Sequence, residues 1–228
     1  MKFVRSVLAI TAKELRIELR TREVVVAMAF FAALVLLLFA FALVHEGRTA
    51  PDAAAGILWI VIALAGTLGL SRAFDREREG NPLAALLLAP IDRPAIYVGK
   101  LLAMLIFLAL TELVTVPLVA LLFDAPLLAH PIQLIALLAL GSIGFAATGS
   151  LFAGALVRNR ARHLLLGILL YPLVLPVLMA GVRGTQALLV LPEPDLLVLG
   201  TWTRILVLFD VAMVTLSLWV FEPLVVAE

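Results

Sequence analysis

VVVAMAFFAALVLLLFAFALV, residues 24–44, runs for twenty-one residues without a formal charge. A helix needs roughly 20 apolar residues to cross a hydrocarbon core about 30 Å thick. Five further runs have spanning length: Ala53–Ser71, Val98–Phe123, Ile132–Val157, Leu164–Val182 and Ile205–Phe221. Only Lys100 and Glu112 interrupt the third run, and only Asp210 the last. Lipid leaves helices and closed barrels as the structures that satisfy their own backbone polar groups. These runs are continuously apolar, whereas barrel strands alternate, so the expectation is an all-α membrane protein with six transmembrane helices.

Composition agrees. Of 228 residues, 64% are apolar and 14% charged, against about 45–50% and about 25% in a soluble domain. The mean hydropathy is +1.17. Six spans use most of the chain, so a sizeable soluble domain does not fit, and soluble catalytic machinery belongs on another chain. Cysteine is absent, which excludes disulfides, thiolate catalysis and cysteine metal sites. The net charge of +1 says nothing about nucleic acid; the placement of the charges says more.

Lysine and arginine placement sets the expected orientation. Six lie before the first span (Lys2, Arg5, Lys13, Arg16, Arg20, Arg22), five after the second (Arg72, Arg76, Arg78, Arg93, Lys100) and three after the fourth (Arg158, Arg160, Arg162). The opposite side has Arg48, Arg183 and Arg204. Fourteen against three puts both termini in the cytoplasm. The first 23 residues hold six basic and three acidic residues ahead of a long apolar run, which is not the pattern of a cleaved signal peptide. At 100° per residue, Lys2, Arg5, Lys13, Arg16 and Arg20 share one arc, and Val4, Leu8, Ala12, Leu15 and Leu19 share its neighbour. Residues 1–23 therefore read as an amphipathic interfacial helix, either a plain topology anchor on anionic lipid or a docking element for a partner.

The longest loop on the basic side, 72–97, carries alternating charge at Asp75, Arg76, Glu77, Arg78 and Glu79, then Gly80. Asn81 suits a helix cap and Pro82 its first position. Leu83, Leu86 and Leu87 follow, on a stretch too short to span. A solvated connector has no need of such leucines, so Asp75–Glu79 with Leu83, Leu86 and Leu87 read as a docking element.

Glu112 and Asp210 fall inside spans, where ionisable groups are costly and often functional. Thr111 and Thr115 flank Glu112, and Arg204 stands nearer the outer end of the helix of Asp210. A proton- or substrate-handling role and a structural role as protonated or paired carboxyls both stay open. Ser142, Ala146, Ser150 and Gly154 recur at i+4 on the fourth span, a face that lets helices approach closely. Pro172 and Pro176, one turn apart in the fifth span, predict a break or kink. His45, His130 and His163 lie in separate places and make no metal site. A lone histidine at a helix end reads first as an interfacial residue, and axial haem ligation by His45 or His130 only second. A phosphate loop needs G-x-x-x-x-G-K-[ST]. The sole Gly-Lys, Gly99-Lys100, is followed by Leu101 and has Pro94 in place of the first glycine. ATP, if used, belongs on a partner subunit.

Taken together, the interfacial helix, six spans and charged loop after the second span resemble a membrane permease of the ABC-2 type. The stretch FDREREGNPLAALLLAPIDRPAIYVGKLLA carries that likeness through its charges, its glycine, its leucines and its Tyr-x-x-Lys. Within the class the chain resembles the haem exporter B family of cytochrome c maturation (CcmB). The likeness rests on the opening FVRSVLAITAKELRIELRTRE, on Gly56–Trp59 with Leu68–Phe74, and on the two-proline segment Leu169–Val182. Met179-Ala180 departs from the isoleucine-phenylalanine type of pair expected there. The resemblance implies a non-catalytic permease in the bacterial inner membrane, working with an ABC ATPase subunit (CcmA-like). It also implies haem-handling membrane subunits (CcmC-like, CcmD-like) and a periplasmic haem chaperone (CcmE-like). ATP would be spent on the ATPase, haem handled by the complex, and the chaperone released when loaded. The rival readings are a proton-coupled secondary transporter using Glu112 or Asp210, and an intramembrane enzyme. Secondary transporters often show internal repeats, and none is evident. An enzyme needs a catalytic cluster, and no nucleophile–base pair stands at useful spacing.

Overall fold

The computed structural model describes residues 2–43, 51–79, 93–156, 161–190 and 193–226. Among them the regular structure is entirely helical: α1 (Lys2–Thr21), α2 (Glu23–Leu43), α3 (Pro51–Glu79), α4 (Arg93–Phe123), α5 (Pro131–Ala155), α6 (Arg162–Leu188) and α7 (Leu196–Val226), with a 3-10 turn at Leu127–Ala129. Six of these, α2 to α7, contain segments long and apolar enough to cross a membrane: Glu23–Leu43, Ala53–Phe74, Pro94–Phe123, Pro131–Ala155, Leu164–Leu188 and Leu196–Val220.

The helices overrun the apolar runs at several ends. α3 continues through Arg72 to Glu79 and α4 begins at Arg93, so much of the expected loop 72–97 is helix. The stretch Arg76–Glu79 consists of four good helix formers, and the charges that mark a membrane boundary do not end a helix. At 1.5 Å per residue the 31 residues of α4 reach about 45 Å, well beyond a core of about 30 Å. Gly80–Asp92, including Leu83, Leu86 and Leu87, lies outside the described residues.

Two packing groups make up the bundle. α1 to α4 pack among themselves, as do α5, α6 and α7, and the groups join where α3 meets α5 and α6 and where α4 meets α5 and, more lightly, α7. The join is tight because one side chain is large and its neighbours are absent. The Trp59 indole, fully buried on α3, lies against Gly141 of α5 and Gly181 of α6, where a Cβ on either glycine would collide with the ring. Its Nε1 donates to Thr185 Oγ1 at 2.9 Å. Gly149 receives Leu70 in the same way. Ser142, Ala146, Ser150 and Gly154 are all buried in α5.

α6 runs as one helix through Pro172 and Pro176, so of the expected break or kink the break does not occur. Each proline removes one backbone donor, and a helix held by neighbours tolerates that loss. α4 likewise contains Pro117.

α1 has three faces rather than two. Val7, Ile10, Thr11 and Glu18 are buried against the bundle, whereas Val4, Leu8 and Leu19 are 59%, 60% and 77% exposed. The apolar arc read from the sequence therefore points away from the protein, as a lipid-facing stripe would. The basic arc lies beyond it, in the order protein, lipid, water expected of an interfacial helix. Arg22, at φ 54°, is the single residue that turns α1 into α2. Its left-handed conformation is one that side-chain-bearing residues rarely adopt. Glu18 reaches across this corner, and its Oε1 accepts from Val25 N at 2.8 Å, occupying one of the free donors at the start of α2.

Candidate functional site

At the basic end, three helices meet around Lys100. α1 lies against α4 at Gly99, where an added Cβ would stand 2.8 Å from Ile10 Cβ and 3.2 Å from Val7 O. Thr11 Oγ1 lies 3.0 Å from both Val7 O and Gly99 O, so its proton ties α1 to α4. One turn further, Glu14 Oε1 accepts from Lys13 Nζ at 2.9 Å and faces Lys100 Nζ at 3.5 Å. The Lys100 ammonium also sits 5.3 Å from the centre of the Phe74 ring of α3, within cation–π range. A cavity of about 20 Å³ between Glu14, Phe74, Lys100, Met104 and Phe107 completes the junction.

The electrostatics follow from this placement. Burial pushes the Glu14 carboxyl up, but the ammonium groups of Lys100 and Lys13 outweigh it and hold the carboxyl below its ordinary value. Arg72 at the end of the α3 span meets Glu23 at 3.2 Å, with both side chains about half exposed. The stretch Asp75–Glu79 forms the final turns of α3 and leads straight out of this junction. At this junction two spans and the interfacial helix are thus in contact with one another. Lys100 and Glu14 were not candidates on sequence grounds. The available signal was a third arc on α1, in which Glu14 and Glu18 share a face with Val7 and Ile10.

At mid-depth the two intramembrane carboxyls flank α5 from opposite sides. Glu112 of α4 is buried, and its Oε1 accepts from Ser142 Oγ of α5. Thr111 and Thr115, the expected partners, instead donate to Phe107 O at 2.9 Å and Thr111 O at 2.8 Å on their own helix. Hydroxyls within a helix return to the carbonyl four residues back. Asp210 of α7 is buried against Gly144, and neither carboxyl oxygen has a hydrogen-bond partner. Arg204 is exposed; six residues turn a helix by 600°, which puts it on another face. His130 is partly buried ahead of α5, with no capping hydrogen bond from its side chain, and His45 lies outside the described residues. No group of three metal-binding side chains occurs among the described residues.

The geometry is that of a helical bundle of membrane-spanning length with an interfacial helix packed on its basic end, and known proteins resemble it in sequence. Residues 5–224 match the model of the family described as CcmB protein. The chain is 30% identical to Heme exporter protein B of Pseudomonas aeruginosa over 77% of its length and 78% of the relative's. It is 33% identical to that of Paracoccus denitrificans, over 70% of this chain and 72% of the relative. With the Rhodobacter capsulatus protein the identity is 32%, over 79% and 84% respectively. A match across nearly the whole chain, on six apolar helices of spanning length, makes this protein a member of the CcmB family.

Proposed function

We propose that the chain is the membrane permease subunit of an ABC transporter complex in cytochrome c biogenesis, seated in a bacterial inner membrane with both termini in the cytoplasm. A partner ATPase hydrolyses ATP, and the bundle couples that hydrolysis to haem delivery or to release of a haem-loaded periplasmic chaperone. Further haem-handling membrane subunits share the complex. The observation that carries this reading is the family match over residues 5–224, whose relatives are haem exporter B proteins. Two features support the division of labour. The sequence holds no phosphate loop, and the lysine and arginine bias favours a cytoplasmic face at the end where α1, α3 and α4 converge.

In this reading the segment from Asp75 to Leu87 receives the ATPase. Motion there travels along the stiff ends of α3 and α4, which Phe74, Lys100 and Glu14 join to each other and to α1. Co-purification of the complex tests it. Reversing Asp75, Glu77 and Glu79 to lysine should strip the ATPase from the membrane subunits without lowering the amount of inserted permease. Full recovery of a nucleotide-hydrolysing subunit on the triple variant would refute the docking role.

A further inference from the structure

Between α4 and α5 the bundle has a groove of about 510 Å³. Its size matches ordinary small-molecule sites, which run about 300–1,000 Å³ and pair apolar walls with a few convergent polar groups. The walls are leucines, isoleucines, alanines and prolines, and its polar contribution comes from Glu112 and Ser142. Leu113 and Ile135 on the two walls are 72% and 64% exposed, so the groove opens sideways, toward lipid, at the level of both spans. Ser142 supplies a donor to Glu112 Oε1, and no described residue donates to Oε2. The other intramembrane carboxyl shows the contrast: both oxygens of Asp210 are sealed inside the protein.

We infer that this groove binds a single-chain membrane amphiphile, tail along α4 and α5, with a hydrogen-bond-donating head, hydroxyl or ammonium, on the free oxygen of Glu112. A buried carboxyl is costly until its lone pairs are met, and the protein meets them on one oxygen only. A soluble ligand finds no polar lining to enter by. A partner helix would cover the rim but would need a long donor side chain at one level to reach the floor. An amphiphile drawn from the bilayer fills the apolar walls and supplies the missing donor together.

The test uses the full chain in lipid nanodiscs and dicyclohexylcarbodiimide, an apolar reagent that adds a carboxylic acid across its carbon–nitrogen double bond and yields an N-acylurea without a leaving group. Peptide mass spectrometry should find Glu112 modified and Asp210 unmodified. Dodecanol or protonated N,N-dimethyldodecylamine, a tertiary ammonium that donates a hydrogen bond but forms no amide with the activated carboxyl, should slow the Glu112 reaction several-fold, and methyl dodecanoate, of equal chain length but without a donor, should not. Protection by only one of the two donors supports the site and identifies its head group. Ala139→Trp, on an exposed wall position, fills the groove without entering the core and should remove the protection while the thermal transition stays unchanged. Absence of Glu112 modification, equal protection by the ester, or undiminished protection in the tryptophan variant would each overturn the inference.

Discussion

The protein buries carboxyl groups in two regions and treats them differently. At the basic end Glu14 faces two ammonium groups, at 2.9 and 3.5 Å, and Glu18 takes a backbone N–H at 2.8 Å. At mid-depth Glu112 has a single serine hydroxyl and Asp210 has no partner. The difference shows where the chain can hold a charge. Near the boundary, Lys13 is 38% exposed and keeps its ammonium in contact with water, whereas Lys100 is buried beside Phe74, so Glu14 is held by one solvated and one enclosed ammonium. In the centre, stability comes from shape: an indole among glycines, and helices in close approach. Polar groups at the end should therefore stabilise, whereas those in the middle should be neutral or costly.

The largest effect should come from breaking the shape-held middle. Trp59→Ala removes a ring seated between two glycines together with its bond to Thr185. A loss of about 3–5 kcal/mol is expected for a buried aromatic truncation, read as a large fall in the thermal transition in micelles. Next is the charged end. Lys100→Met should cost on the order of 2 kcal/mol, less than the ~3–5 of a fully buried pair because Glu14 keeps Lys13. The Glu14 carboxyl is held below its ordinary value, so its contribution is present above that value. It is lost as pH falls below 4.5, the ordinary glutamate pKa, and through the lower folded-state pKa. Thermal transitions measured against pH should show this slope in the native chain and a shallower one in Glu14→Gln. A stability equal to the native chain's in Lys100→Met, or an unchanged slope in Glu14→Gln, would erase the distinction between the regions.

How much of this was legible in the sequence depends on whether the signal was local. The spans were, because length and the absence of charge suffice. Their ends were not: Arg72–Glu79 reads as a loop by charge yet has the propensity to continue α3. On α1 the basic and lipid-facing arcs were plain, but the bundle-facing arc mixes Val7 and Ile10 with Thr11, Glu14 and Glu18. Two of its polar members, Thr11 and Glu14, are matched by Gly99 and Lys100, far along the chain. Glu112 stands beside two threonines, yet its partner Ser142 is thirty positions away. Prolines 172 and 176 suggested a break or a kink, and the neighbours of α6 account for the absence of a break. The docking leucines remain an expectation from the sequence.

A smaller effect should distinguish the two mid-depth carboxyls. Asp210→Ala removes a group whose oxygens meet no donor, and leaving such a group buried carries a penalty of about 1–3 kcal/mol. The lost contacts offset part of the gain, so the thermal transition should hold or rise by up to about 1 kcal/mol equivalent. A clear loss would mean that the carboxyl is satisfied in the bilayer by something outside the chain, and the middle would then resemble the end.

The smallest effect should come from Arg72→Ala. Its pair with Glu23, at 3.2 Å, joins α3 to the start of α2, with side chains 48% and 51% exposed. Exposed pairs contribute about 0–1 kcal/mol and weaken with salt, so the change should stay within about 0.5 kcal/mol and vanish in high salt. The same measurement locates the water. Arg72 lies at the end of the α3 span, and Lys100 lies one helix away at the same end. If both variants lose similar stability and neither responds to salt, this end is as dry as the centre. The charges of Glu14 and Lys100 would then need a covering partner rather than the membrane boundary to explain them.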